Sequence, residues 1–139
     1  MGRQRVLILC TGNSCRSQMA EGLVNFFLGE DWEAYSAGSA PTGKVNPRAV
    51  RAMAELRIDI SEGVSESVEI YRDLKPDLVV TVCDSAAKNC PIWIGEGRVV
   101  HMPFDDPIDA VGSDSERMAA FRQVRDQMRD KLLACLQKL

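Results

Sequence analysis

The stretch Val6-Leu7-Ile8-Leu9-Cys10-Thr11-Gly12-Asn13-Ser14-Cys15-Arg16-Ser17 decides the fold. Four consecutive aliphatic residues read as a short strand buried on both faces, with Cys10 at its carboxyl end. Thr11 to Ser14 are small or turn-forming residues that wrap a tight loop. From Arg16 onward the spacing turns helical, with Met19, Ala20, Leu23, Phe26 and Phe27 expected on one apolar face. A strand, a small-residue loop and a helix amino terminus therefore follow one another. In such a junction the loop amides and first-turn amides lack intrahelical partners, and together with the helix dipole they form a cradle for a tetrahedral oxyanion.

The cradle opens on Cys10 and closes on Arg16, a Cys-x5-Arg pattern with loop residues Thr11, Gly12, Asn13, Ser14 and Cys15 between them. A thiol at a helix amino terminus beside a guanidinium ionises well below its ordinary range and becomes a ready nucleophile. Arg16 is suited to grip two oxygens of a bound anion, which a lysine does less well. Ser17 either points its hydroxyl back at the sulfur or caps the helix. For a lone cysteine after a strand, a buried inert thiol is the plainer account. Arginine and serine in register favour the anion site.

The surrounding chain sets bounds on this reading. Its 139 residues suit one domain, spanning 1–139, and the 45% hydrophobic and 27% charged composition is that of an ordinary globular protein. A net charge of −3 gives no electrostatic footprint for nucleic acid or an acidic membrane. No apolar run approaches the ~18 residues of a membrane span, and no signal peptide is expected. The five cysteines do not make a secretory disulfide framework, so a reducing cytoplasm with reactive thiols is expected.

Along the chain, Trp32–Gly38 reads as a second strand and Ser39–Val45 as a Pro/Gly loop. Asn46-Pro47 then opens a helix with an asparagine cap and proline at its first position, and Val50, Met53, Ala54 and Leu56 supply its apolar face. A short helical piece is expected over Glu66–Asp73. Leu78–Cys83 is a further buried strand, Asp84–Asn89 is a candidate helix stopped at Cys90-Pro91, and Arg98–Met102 is the fourth strand. Ser113 or Ser115 caps a last helix whose Met118, Phe121, Val124, Met128, Leu132, Cys135 and Leu139 recur at three- and four-residue steps. Strands alternating with helices mean an α/β fold with a parallel sheet covered on both faces.

The longer run Cys10-Thr11-Gly12-Asn13-Ser14-Cys15-Arg16-Ser17-Gln18-Met19-Ala20-Glu21-Gly22 resembles the active-site segment of the thioredoxin-coupled arsenate reductases, members of the low-molecular-weight protein tyrosine phosphatase superfamily. Gln18 stands where the phosphatases usually carry proline. The resemblance implies a three-layer, flavodoxin-like sandwich with strand order 2-1-3-4, which sets Cys10 and Cys83 at carboxyl ends of adjacent strands. It implies arsenate as substrate, with phosphate or sulfate as analogues, and a relay in which Cys10, Cys83 and Cys90 pass a disulfide outward to thioredoxin. Glutaredoxin or a mycothiol system are alternative electron donors. Asp106, just before Pro107, takes the superfamily's general-acid position. Some members bind potassium. Asn13, Glu21 and Ser36 match that set, with Glu66 where an aspartate is usual, so no firm metal site follows. No tightly bound cofactor is implied, and a monomer is expected.

The Cys83-x6-Cys90 spacing carries its own constraint. If 83–90 is helical when reduced, seven steps of ~1.5 Å set the two Cα atoms about 10 Å apart. A disulfide tolerates at most about 7 Å, so bridging must unwind the segment. Asp84, Ser85 and Asn89 are indifferent helix formers, which makes that unwinding easy. Cys15 is expected to pack, Cys135 to lie in the core and His101 to be structural; zinc has no suitable cysteine pair. Two rivals remain. One is a tyrosine phosphatase with the same loop, although Ile108 and Asp109 follow Pro107 in place of the aromatic residues that wall a phosphotyrosine pocket. The other is a non-enzymatic thiol redox sensor whose 83–90 segment switches a partner.

Overall fold

A computed structural model describes residues 2–83, 93 and 95–139. The first strand runs Gln4–Cys10 (β1) and leads through the loop into helix Arg16–Phe27 (α1). Strand Trp32–Gly38 (β2), helix Pro47–Ala54 (α2), strand Leu78–Thr81 (β3), strand Arg98–His101 (β4) and helix Asp114–Gln137 (α3) follow. The sheet is fully parallel in the order β2-β1-β3-β4, as the resemblance implied. The order reverses between β1 and β3, the place where open α/β sheets carry their ligand crevice. In register, Leu9 of β1 lies beside Thr81 of β3, and Cys10 beside Gly38 of β2.

Pleating divides the core. Val6, Ile8 and Cys10 face a cluster with Met19, Leu23, Met53, Phe121 and Met128, so α1, α2 and α3 share one side of the sheet. Leu7 and Leu9 face the other way, onto Ala37, Val68, Val79 and Trp93. There, among the described residues, the cover comes from a 3₁₀ turn, Val68–Tyr71, and from Trp93. The expected helical piece over 66–73 is thus a single 3₁₀ turn, capped by the Ser67 hydroxyl. The strand expected to reach Cys83 ends at Thr81, yet Val82 and Cys83 continue fully buried, and Val82 donates its N–H to the Leu9 carbonyl at 2.9 Å. The candidate helix over 84–89, and Cys90 with it, lies outside the described residues.

Several apolar faces differ in detail from the sequence pattern. The buried stripe of α1 is Met19, Ala20, Leu23 and Val24, which leaves Phe26 at its edge, 55% exposed. Phe27, at the last helical position, is half-covered by the Arg129 guanidinium 5.0 Å from its ring. In α2 the stripe is Ala49, Ala52 and Met53; Val50 and Leu56 are partly buried and Ala54 points outward, because only the i, i+3, i+4 set faces the core. The Asn46 cap and Pro47 start are as the sequence implied, with the Asn46 side chain accepting from Arg48 N–H. Ser113, not Ser115, caps α3 in a reciprocal capping box with Glu116. Over its last turns the 3.6-residue period moves burial to Leu133 and Leu136. Cys135 is half-buried and Leu139, past the helix end, is exposed.

Candidate active site

The site is built where β1 runs out. Cys10 is the last residue of the strand, and its Sγ accepts the Asn13 N–H at 3.3 Å and lies 2.9 Å from the Ser17 hydroxyl. Ser17 therefore points back at the sulfur; α1 has Cys15 at its cap position and no side-chain cap. Asn13 takes a left-handed φ of 50°, a conformation asparagine tolerates better than most residues, and this turns the loop around the sulfur.

Each carbonyl from residue 11 to 15 is held from outside the cradle. Thr11 O accepts from Ala40 N–H, Gly12 O from Thr42 N–H and the Ser65 hydroxyl, Ser14 O from Asn46 N–H, and Cys15 O from Met19 N–H. Asn13 O accepts from the Gln18 side-chain amide at 3.2 Å. With the carbonyls tied outward, the peptide planes turn their N–H groups inward, which is the property an oxyanion cradle requires. Gly38 belongs to this construction: a Cβ there would stand 2.4 Å from Thr11 O.

Arg16 is almost wholly buried and braced by backbone. One terminal nitrogen donates to Phe104 O at 3.1 Å, and the other pairs with Asp106 Oδ2 at 3.2 Å. Asp106 is thereby brought from a sequence distance of 90 residues to the cradle's edge. Its other carboxylate oxygen accepts from Ile108 N–H, so the carboxyl is fixed at both ends. A pocket of about 260 Å³ opens between Cys10, Arg16, Thr42, Asp106 and Ile108. That is room for a small oxyanion, and half-exposed Ile108 stands at its rim.

Cys83, two residues past β3, lies against the start of the same loop. Its sulfur is fully buried, 4.0 Å from the Thr11 hydroxyl and 4.0 Å from Leu9 O. Cys15 is buried in the loop, and desolvation pushes its thiol up to about 12, which keeps it protonated and unreactive. His101 is remote from the pocket. Its Nδ1 lies 2.6 Å from the Thr81 hydroxyl on the neighbouring strand.

The four residues considered for a cation are also brought together. Asn13 Nδ2 donates to Ser36 Oγ at 3.0 Å, Ser36 Oγ donates to Glu21 Oε1 at 2.9 Å, and Asn13 Oδ1 accepts from Glu66 N–H at 2.8 Å. Burial raises the Glu21 carboxyl above its ordinary value, and the Glu66 charge adds to the rise against the Ser36 hydrogen bond. Burial, with the Glu66 and Glu21 charges behind it, pushes the nearby Tyr71 phenol to about 12. Carboxylate and hydroxyl oxygens gathered around two acidic groups suit a hard cation.

Three participants escaped the sequence reading: Ser65, Gly38 and the backbone donors of 40–46. A hydroxyl 53 residues from its acceptor leaves no local pattern, and backbone donors have no residue signature.

Residues 5–139 match the low molecular weight phosphotyrosine protein phosphatase family. The chain is 50% identical over 128 residues to an arsenate reductase of Halalkalibacterium halodurans, covering 92% of this chain and 91% of that one. To an arsenate reductase of Bacillus subtilis it is 45% identical over 132 residues, covering 95% and 94%. Among solved structures it resembles an arsenate reductase in the phosphate binding state, with a TM-score of 0.81 at 29% identity over 97% of this chain and 98% of the other. The strand-loop-helix cradle, its Cys10–Arg16 frame and these matches along nearly the whole length have one meaning: the chain belongs to the low molecular weight phosphotyrosine protein phosphatase family, and within it to the arsenate reductases.

Proposed function

We propose that this protein reduces arsenate to arsenite through Cys10, Cys83 and Cys90, with thioredoxin as the electron donor. The observation that carries the reading is a second thiol at the cradle. Cys10 Sγ accepts the Asn13 N–H and faces the Ser17 hydroxyl, and Cys83 Sγ lies 4.0 Å from the Thr11 hydroxyl of the same loop. Hydrolysis of a phosphoester needs no such thiol; two-electron reduction does.

Arsenate enters the cradle on the amides of 11–16 and the Arg16 guanidinium. Cys10 thiolate attacks arsenic, and one arsenate oxygen leaves as water with a proton from Asp106. Ser17 steadies the sulfur as negative charge leaves and returns. Cys83 thiolate then attacks Cys10 Sγ. The sulfur–arsenic bond breaks, its electron pair stays on arsenic, and arsenite departs, leaving a Cys10–Cys83 disulfide. Cys90 attacks Cys83, freeing Cys10, and reduced thioredoxin opens the Cys83–Cys90 bridge. In sum, two thiols become one disulfide as As(V) becomes As(III).

A monovalent cation belongs to the same reading. Glu21, Ser36, Asn13 and Glu66 would hold it, and its charge would offset the two acidic groups beside Asn13. Heating the protein in potassium and in choline chloride at equal ionic strength tests this part separately.

The main test is NADPH consumption with arsenate, thioredoxin and thioredoxin reductase, run beside hydrolysis of an aryl phosphate. Arsenate-dependent turnover is expected, and Cys90→Ser should allow at most one turnover, ending in a Cys10–Cys83 bridge. Sustained thioredoxin-driven turnover by Cys90→Ser would refute the relay. Aryl phosphate hydrolysis without arsenate consumption would place the chain with the phosphatases instead.

A further inference from the structure

Gln18 is 2% exposed and takes no part in the proposed chemistry, yet its amide makes three hydrogen bonds beside the cradle. Its Nε2 lies 3.2 Å from Asn13 O, 3.2 Å from Asn13 Oδ1 and 2.9 Å from Val64 O. All three are acceptors, so the nitrogen end of the amide must face them. The segment that brings Val64 approaches closely because residue 63 is glycine: a Cβ there would stand 2.7 Å from Gln18 Oε1.

These bonds determine where one proton goes. Asn13 Oδ1 is identified as the oxygen by two donors, Glu66 N–H at 2.8 Å and Gln18, so Nδ2 faces Ser17 Oγ at 2.7 Å and Ser36 Oγ at 3.0 Å. Ser17 Oγ therefore accepts a hydrogen bond from Asn13. A hydroxyl has a single proton to give, and with its oxygen accepting from Asn13 the Ser17 proton is left for Cys10 Sγ, 2.9 Å away.

We propose that Gln18 is a positioning residue for the nucleophile: by holding the Asn13 amide with its nitrogen toward Ser17, it directs the Ser17 hydroxyl onto Cys10. This rests on Cys10 being the nucleophile but not on arsenate being the substrate. The phosphatases' usual proline at this position has no donor to offer, so in this chain the link is supplied by the side chain.

The test follows Cys10 alkylation by iodoacetamide against pH, mapped by mass, in Gln18→Met, which keeps length and removes the donors. Alkylation is expected to slow about tenfold in the variant below neutral pH, where the hydrogen bond to the sulfur counts most, and to converge with the parent at high pH. Protection by inorganic phosphate should weaken in parallel. In a Ser17→Ala background the same substitution should change nothing further, since the path runs through Ser17. Gln18→Lys, which restores donors toward the same carbonyls, should alkylate at least as fast as the parent. If Gln18→Met does not fold, Gln18→Asn, too short to span both carbonyls, carries the same expectation. A variant that melts earlier while its alkylation profile superimposes on the parent's overturns the proposal, as does full additivity with Ser17→Ala. No arsenate is present, so the result stands apart from the outcome of the reductase assay.

Discussion

Two polar networks tie distant segments of this chain together, and they are built on opposite principles. Around the cradle, Asn13, Ser17, Gln18 and Ser36 are buried and mostly neutral, and nearly every polar atom meets a partner of fixed identity. Between α2 and α3, Arg48 and Arg51 pair with Asp114, and Arg122 and Arg125 pair with Glu55. There Asp114 is 56% and Glu55 39% exposed. Exposed pairs contribute about 0.2–1 kcal/mol each and tolerate exchange of geometry for water. A buried donor left without its acceptor costs about 1–3 kcal/mol, because water cannot replace it. Placement, more than number of bonds, decides which network can dictate geometry. The protein keeps Cys10 in the first kind and holds its helices together with help from the second.

The sharpest way to break that contrast is Asn13→Ala. The change strands Glu66 N–H and the Ser17 and Ser36 hydroxyl bonds, and leaves alanine at a φ of 50°. A loss of about 2–4 kcal/mol is expected, with phosphate protection of Cys10 largely gone. Thermal denaturation and alkylation read the two effects. A loss below about 1 kcal/mol would mean that the buried network behaves like the surface one.

A milder perturbation distinguishes the networks by what they answer to. Potassium in place of choline at equal ionic strength is expected to raise the melting temperature by about 2–5 °C, acting through Glu21, Ser36 and Asn13. Glu21→Gln should abolish the difference. The α2–α3 pairs see the same ionic strength in both salts and should not distinguish them. Equal melting in the two salts would remove the cation from the reading.

What the sequence disclosed follows the same division. The strand at 6–10, the cap at Asn46 and the Cys-x5-Arg loop are local patterns, and each was legible because backbone geometry and side-chain period act over a few residues. Even the placing of Cys10 and Cys83 near the carboxyl ends of neighbouring strands was within reach once strand order was supplied by resemblance. The ties that turn the cradle's amides inward were not. Ala40 and Thr42 contribute backbone, which any residue carries, and Ser65 contributes one hydroxyl among many. Phe26 failed for a related reason: the helical period places it near the apolar stripe, but only the packed neighbours decide where the stripe's edge falls. Gln18 was noticed as a departure from phosphatase proline, yet its purpose depends on three carbonyls converging from two segments.

The smallest expected effect belongs to the surface network, and pH gives it a sign. Hydrogen bonds from Arg122 first, then Arg125, hold the Glu55 carboxyl down to about 2. A depressed carboxyl contributes stability above its ordinary value of 4.5, and that contribution is lost as pH falls from there toward about 2. Because Glu55 is more than a third exposed, solvent screens the pairing, and Glu55→Gln should cost less than about 1 kcal/mol at neutral pH. Arg125 keeps its bonds to Ala52 O and Asp126, so the buried guanidinium is not orphaned by the change. Parent and variant should therefore converge in urea denaturation near pH ~2–3 and differ most above pH ~5. High salt should shrink the difference at neutral pH while leaving the Asn13→Ala deficit in place. A Glu55→Gln deficit that matches that of Asn13→Ala, or that persists unchanged in acid, would show the ion pairs to be as decisive as the buried amides.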